Sequence, residues 1–155
     1  MNILALDPAT ECGWAHSRGQ SGTWSLRVRS DESDGMRLVR LQAKLDEIKH
    51  ALGVDLLVFE AARAMRFGNA TRVAGEIGGA VKLWATHNGI NYRGYSPSEI
   101  KRHATGKGNA DKLAMFEAAR VKWPRVAGED EADALWLLDL ATNEYGERAP
   151  SRAKE

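Results

Sequence analysis

Met1-Asn2-Ile3-Leu4-Ala5-Leu6-Asp7-Pro8-Ala9-Thr10-Glu11-Cys12-Gly13-Trp14-Ala15 is the stretch on which the reading of this chain turns. Ile3 to Leu6 is a short apolar run of the kind that is buried on both faces of a sheet. The run ends at the carboxylate of Asp7, and Pro8 then blocks further ladder pairing because it has no N–H. Gly13, Trp14 and Ala15 begin a second extended run, so the chain turns back as a hairpin. A carboxylate at the mouth of a central strand is either a turn residue that bonds its own backbone or a ligand in a metal or phosphate site. The second reading requires partners elsewhere in the chain.

Working outward, Cys12–Ser17 and Thr23–Val28 read as two short strands joined by Arg18-Gly19-Gln20-Ser21-Gly22. Ser33 or Asp34 is placed to cap a helix from about Gly35 to Leu52, with Met36, Val39, Leu41, Leu45, Ile48 and Leu52 as its apolar face and Gly53 as its stop. Val54-Asp55-Leu56-Leu57-Val58-Phe59-Glu60 is again an apolar run ending in a carboxylate. Strand, helix and buried strand in that order imply a crossover and parallel pairing, which brings Asp7 and Glu60 out at the same sheet edge. Asn69 can cap a long helix from Ala70 to about His87, rich in Ala and Gly, which permits close approach of another backbone. Ile90–Tyr95 fits a strand, and Ser96-Pro97-Ser98-Glu99 has the cap, first-turn proline and capping-box Glu of a helix start. Thr105 to Asn109 is a Gly-Lys turn, followed by helices from Ala110 to about Val121 and from about Glu129 to Asn143. The reading is thus one domain over residues 1–143 and a short charged tail over residues 144–155.

Bulk properties narrow the classes. At 155 residues, 43% hydrophobic and 28% charged, the chain has the composition of a globular domain with one sizeable core. Its single cysteine, Cys12, excludes an intrachain disulfide and a Cys-based zinc site. No apolar run is long enough to span a bilayer, and the first residues read as part of the fold rather than as a signal peptide. A cytoplasmic protein is the expectation. Net charge is only +1, but residues 61–112 carry nine basic side chains against three acidic ones, a net +6 that leaves −5 for the remainder. A basic binding face beside an acidic metal site would produce that asymmetry.

The last helix opens Glu129-Asp130-Glu131-Ala132-Asp133-Ala134-Leu135. Acids favour a helix N-terminus, which accounts for Glu129 and Glu131. Asp130 and Asp133 share a helical face, and Asp133 sits between alanines as though entering the core. Two strand-end acids and this pair make four carboxylates able to converge. Such a cluster repels itself unless it holds hard divalent cations such as Mg²⁺ or Mn²⁺, and two such ions serve phosphodiester displacement. Gly106-Lys107-Gly108 lacks the length and the Lys-Ser/Thr ending of a P-loop, which argues against a nucleoside triphosphatase. His103 reads as a surface residue, and His16, His50 and His87 show no ligand spacing.

Leu6–Ala15, the strand ending in Glu60, Pro97-Ser98-Glu99-Ile100-Lys101, Gly106-Lys107-Gly108-Asn109-Ala110-Asp111-Lys112 and Asp130-Glu131-Ala132-Asp133-Ala134-Leu135 occur in an order that resembles the RuvC family of Holliday-junction resolvases, within the ribonuclease-H-like superfamily. The resemblance covers about residues 2–142, and a phage or prophage member is among the sources it allows. It implies an α/β fold, a ribonuclease-H-like mixed five-stranded sheet flanked by helices. It further implies that Asp7, Glu60, Asp130 and Asp133 are catalytic and bind two ions per active site, Mg²⁺ with Mn²⁺ as a substitute. The implied partners are branched DNA, specifically a four-way junction, and a second copy of the chain joined through the helix spanning about residues 70–87. Lys101 and Lys112 match basic residues that the family uses near the scissile phosphate, and Lys107 is a further DNA-binding candidate.

The chain departs from the family's pattern after the second acid. Family members carry an aromatic residue soon after it. Here the loop reads Ala61-Ala62-Arg63-Ala64-Met65-Arg66-Phe67, with arginines nearer the acid and Phe67 as the only aromatic. Arg63 and Arg66 are candidate phosphate contacts and Phe67 a candidate stacking wedge. The alternatives are a related nuclease acting on other branched DNA, RNA or a hybrid, and a catalytically silent junction-binding module, against which the full set of four acids argues.

Overall fold

Alternation along two neighbouring strands decides which face of the sheet each catalytic candidate occupies. The computed structural model describes residues 1–62 and 68–146. Its elements run β1 (Ile3–Asp7), β2 (Glu11–His16), β3 (Ser21–Ser25), α1 (Met36–Leu52), β4 (Leu56–Glu60), α2 (Asn69–His87), β5 (Asn91–Tyr95), α3 (Pro97–Thr105), α4 (Lys112–Lys122) and α5 (Glu129–Tyr145). The five strands form one mixed sheet in the order β3-β2-β1-β4-β5. β1 pairs antiparallel with β2 and parallel with β4, and β4 pairs parallel with β5. The expected mixed five-stranded sheet, with the strands of Asp7 and Glu60 paired in parallel, is therefore present.

Side chains on a strand point alternately to its two faces. Leu4, Leu6, Leu57 and Phe59 pack with Leu41, Leu45, Val73, Ile77, Val81 and Trp84 of α1 and α2. Ile3, Ala5, Leu56 and Val58 pack with Ile100, Met115, Trp136 and Leu137 of α3, α4 and α5. The same parity sends Asp7 and Glu60 to the second face, toward α5. The register that pairs Leu6 with Phe59 sets Asp7 beside Glu60.

Several local expectations need correction. The second hairpin strand spans Ser21–Ser25 rather than Thr23–Val28, because the tight turn bonds His16 N–H to Gln20 O and fixes Ala15 opposite Ser21. Neither Ser33 nor Asp34 caps α1, and Asn69 does not cap α2. Gly35 and Gly68 stand at those positions without a side-chain bond, while Asp34 lies 3.9 Å from Arg72 and Asn69 accepts from Arg72. On α1 Val39 is 54% exposed, and Arg37 takes the inward position that it was expected to fill. The last helix continues past Asn143 to Tyr145, since Glu144 accepts hydrogen bonds from the Tyr95 hydroxyl (2.8 Å) and from Arg93. The start of α3 is as expected: Glu99 N–H bonds Ser96 Oγ and Ser96 N–H bonds Glu99 Oε2. Gly53 ends α1 at φ 75°, a conformation that suits glycine. No helix among the described residues is long and apolar enough to cross a membrane.

Candidate active site

A cleft of about 300 Å³ opens at the carboxyl edge of β1 and β4. Its walls include Asp7, Glu60 and Asp133, the lysines Lys101 and Lys112, and small residues Ala61, Ala62, Ala70 and Ala74. Each acid is delivered by a different element. Asp7 ends β1 and is 8% exposed, Glu60 ends β4, and Asp133 lies one turn into α5. Lys112 opens α4, whose start is fixed by Asp111 accepting from Ala114 N–H at 2.8 Å. Its Nζ lies 3.8 Å from Asp133 Oδ2.

The electrostatics follow from this crowding. Burial, then the Glu60 and Asp133 carboxylates and a hydrogen bond shared with Glu60, raise the pKa of Asp7 well above the usual carboxylate range; Lys112 opposes them. Burial also pushes Asp133 up to about 6, with Lys112 lowering it and Glu60, Asp130 and Glu129 adding to the rise. Burial opposes the charge on Lys112, yet Asp133, Asp7, Asp130 and Glu129 together raise its pKa. One lysine thus faces an excess of negative charge.

The donor set is entirely carboxylate oxygen, which suits a hard divalent cation rather than a soft one. Among the described residues no three His, Cys, Asp or Glu side chains already surround one point as a coordination shell would. The fit therefore rests on the chemistry of the set: three acids on one wall, where burial first and neighbouring carboxylates second raise the pKa values of Asp7 and Asp133.

Asp130 and Lys107 stand apart from these residues. Asp130 is half-buried one turn earlier on α5 and does not line the cleft; burial raises its pKa, Lys112 lowers it and Glu11 and Glu129 raise it further. Lys107 is exposed in the turn between α3 and α4, outside the lining. Arg63, Arg66 and Phe67 fall outside the described residues. His103, expected on the surface, is instead half-buried, with Nε2 2.8 Å from Asp139 Oδ2 and its ring edge-on to Trp136. His16 is a satisfied core residue: Nδ1 accepts from Arg18 N–H and Nε2 donates to Gly53 O.

One positioning residue was not singled out from the sequence. Gly13 pairs with Asp7 across the hairpin, and a Cβ there would lie 1.8 Å from Asp130 O and 2.4 Å from Asp130 C. The backbone at the start of α5 rests directly on β2 where only glycine leaves room. The signal was available, since a glycine inside a strand pattern marks a bulge or a close backbone approach.

The raised pKa of Asp133 carries a stability consequence. Its proton is held to higher pH in the fold than in the unfolded chain, so metal-free protein loses stability as pH rises from about 4 through about 6. The expected result in chelator is a melting temperature that falls by a few degrees, roughly 2–4 °C per kcal/mol, between pH 5 and pH 8. Asp133→Asn should flatten much of that dependence, and a divalent cation at pH 8 should restore the loss in the wild type. A pH profile of melting left unchanged by D133N would contradict the assignment.

A mixed five-stranded sheet in this strand order, with acids at the ends of two adjacent parallel strands and on the helix packed against them, is a ribonuclease-H-like α/β fold with a candidate metal site at its carboxyl edge. The profile of the family described as crossover junction endodeoxyribonuclease RuvC matches residues 3–135. The crossover junction endodeoxyribonuclease RuvC of Mycobacterium tuberculosis is 31% identical over 150 residues, spanning 88% of this chain and 79% of that protein. That of Gloeobacter violaceus is 29% identical over 119 residues, 77% of this chain and 68% of that one. Thermus thermophilus RuvC superimposes with a TM-score of 0.72 at 22% identity, over 94% of this chain and 95% of that chain. The same protein in complex with a Holliday junction substrate superimposes with a TM-score of 0.75 at 21% identity, over 94% of each chain. This chain belongs to the RuvC family.

Proposed function

We infer that this protein is a divalent-metal-dependent, structure-selective endodeoxyribonuclease that resolves four-way DNA junctions by paired symmetric nicks. The observation that carries the reading is the single cleft holding Asp7, Glu60 and Asp133 against Lys101 and Lys112, in a chain of the RuvC family. The fold relative solved with a Holliday junction substrate supports the choice of DNA shape.

Asp7, Glu60 and Asp133 would hold the metal, with Asp130 supplying the fourth carboxylate from the adjoining turn of α5. We assign Mg²⁺, with Mn²⁺ as a substitute and two ions per site; bound there, they supply an activated water and neutralise charge at the scissile phosphate. Lys112 holds part of the acid excess in check and can bind a phosphate oxygen once the acids are neutralised. Lys101 faces the same space from α3 and acts as a point charge that draws the backbone in. Lys107, Arg63, Arg66 and Phe67 are assigned to DNA contacts.

Paired nicks require two active sites. Gly75, Gly79 and the 59% exposed Leu83 recur every four residues along an outer stripe of α2, while Ala70 and Ala74 turn to the cleft. A second copy packed on that outer stripe would present two clefts to opposing strands, and we assign the homodimer to it.

The test is cleavage of four-way, three-way, duplex and RNA/DNA hybrid substrates with Mg²⁺, Mn²⁺ or Ca²⁺. Cleavage confined largely to the four-way junction, in Mg²⁺ or Mn²⁺, is the expected result. Equal cleavage of the hybrid or the duplex would favour the related-nuclease alternative, and binding without cleavage in any metal would favour the silent module.

A further inference from the structure

α3 brings Lys101 to the cleft, yet Ile100 is its only buried residue. Its capping box and the Thr105 hydroxyl bond within the helix or to the turns beside it. Among the described residues a single side-chain hydrogen bond ties α3 to another helix, the one between His103 Nε2 and Asp139 Oδ2 of α5 at 2.8 Å. Both side chains are largely shielded, 19% and 18% exposed.

Asp139 also holds a third helix. Lys122, the last residue of α4, donates to Oδ1 at 2.7 Å. Burial works against the charge of Asp139, but the hydrogen bonds from Lys122 and His103 outweigh it and keep the carboxyl below the usual carboxylate range. Both of its oxygens therefore accept, and His103 Nε2 is the donor. Aromatic rings wall the cluster: His103 stands edge-on to Trp136, and Trp123 meets Trp136 edge-on at 4.7 Å. Charge-assisted bonds so shielded from water are strong and directional, and they resist displacement.

Each helix that meets at Asp139 also presents a residue to the cleft: Lys101 on α3, Lys112 on α4 and Asp133 on α5. Lys101 and His103 are two residues apart, about 200° around a helix, so Asp139 grips α3 from the side away from the cleft. α4 has other attachments to α5, through the Trp136 indole N–H on Met115 O at 3.1 Å and through Lys112 beside Asp133 at 3.8 Å. α3 has none of this kind. Released from Asp139, it is free to roll on Ile100, and the roll carries Lys101 with it.

We propose that Asp139 and His103 are positioning residues for the nuclease reaction, fixing through α3 the place of Lys101 against the carboxylates. This rests on the junction-cleavage reading above, in which Lys101 meets the substrate backbone.

The test is a double-mutant cycle on the cutting rate, with the full chain in saturating excess over a labelled four-way junction in Mg²⁺. His103→Leu is compared in the wild-type, Lys101→Ala and Lys112→Ala backgrounds, and sampling from seconds to days keeps the slower variants measurable. H103L should cut about tenfold more slowly than wild type, since a small misplacement of a substrate-positioning group is costly. In the K101A background the same change should cost less than about twofold, because the group through which it acts is gone, while in K112A the loss stays at about tenfold. His103→Gln, whose amide can donate from about the place of Nε2, should recover most of the rate. A general weakening of the fold would slow all three backgrounds alike. Equal losses with and without Lys101 would therefore overturn the proposal, as would an unchanged rate in H103L or a failure of H103Q to recover it. If H103L does not fold, Asp139→Asn is put through the same cycle with the same expectations. Wild-type protein that leaves the four-way junction uncut would instead remove the junction reading itself.

Discussion

Asp7→Asn is expected to lower junction cleavage by about three orders of magnitude or more while leaving junction binding within a few-fold of wild type. Asparagine keeps the shape of the side chain and removes its charge. On the proposed assignment the site loses a ligand at the end of a fully buried strand, Ile3 to Leu6, flanked by Glu60 and Asp133. Binding is expected to rest on other groups, the lysines of the cleft wall and the basic middle of the chain. The same substitution should not harm the fold. The pKa of Asp7 is raised by burial and by its neighbours, so its ionised form is strained at neutral pH in the absence of metal. D7N should therefore melt at or above the wild-type temperature in chelator and lose the stabilisation that a divalent cation gives the wild type. Cleavage at the wild-type rate would remove Asp7 from the site, and a collapse in melting temperature would show that its role is structural.

Gly13→Ala should be the most damaging substitution outside the carboxylates. The added Cβ would stand 1.8 Å from Asp130 O, 2.4 Å from Asp130 C and 3.1 Å from Glu131 N, all of them backbone atoms that cannot rotate away. Relief requires the first turn of α5 to move off β2. That turn is pinned on its other side by Glu131, which binds Ser21 and the Ala127 N–H. A cost of about 2–4 kcal/mol is expected, read as a melting temperature lower by roughly 5–15 °C. Because the turn carries Asp130 and leads into Asp133, a shift of about 1 Å should also lower cleavage by about a hundredfold in protein that remains folded. Gly22→Ala is the control. It lies on the neighbouring strand, and its Cβ would meet only the Trp14 side chain, at 3.2 Å. Equal effects of the two substitutions would contradict the account.

What the sequence made legible was whatever depends on short-range periodicity. The apolar runs before Asp7 and Glu60 carry their own parity, so two acids on one face and one edge followed from the strands alone. Asp133, set among alanines, was legible for the same reason on a helix. Asp130 was named with it, yet it does not line the cleft, because whether both acids reach the wall depends on how α5 crosses the sheet. That crossing is set by the contact between Gly13 and the Asp130 backbone, a tertiary fact with only a weak local trace. The face of α1 was misread for a related reason. Val39 is the more apolar residue, but the inward stripe through Leu41 and Leu45 passes through Arg37. Hydropathy assigns such a position to the wrong neighbour when the buried residue is a cation.

The most direct measurement of junction resolution is a map of the cuts made in both pairs of strands of a four-way junction, end-labelled strand by strand, in Mg²⁺. The expected result is paired nicks at symmetric positions in two opposing strands, giving ligatable linear duplexes with 5′-phosphate and 3′-hydroxyl ends, and none with D7N. Unpaired nicks scattered over all four strands, or cleavage that persists in D7N, would contradict it.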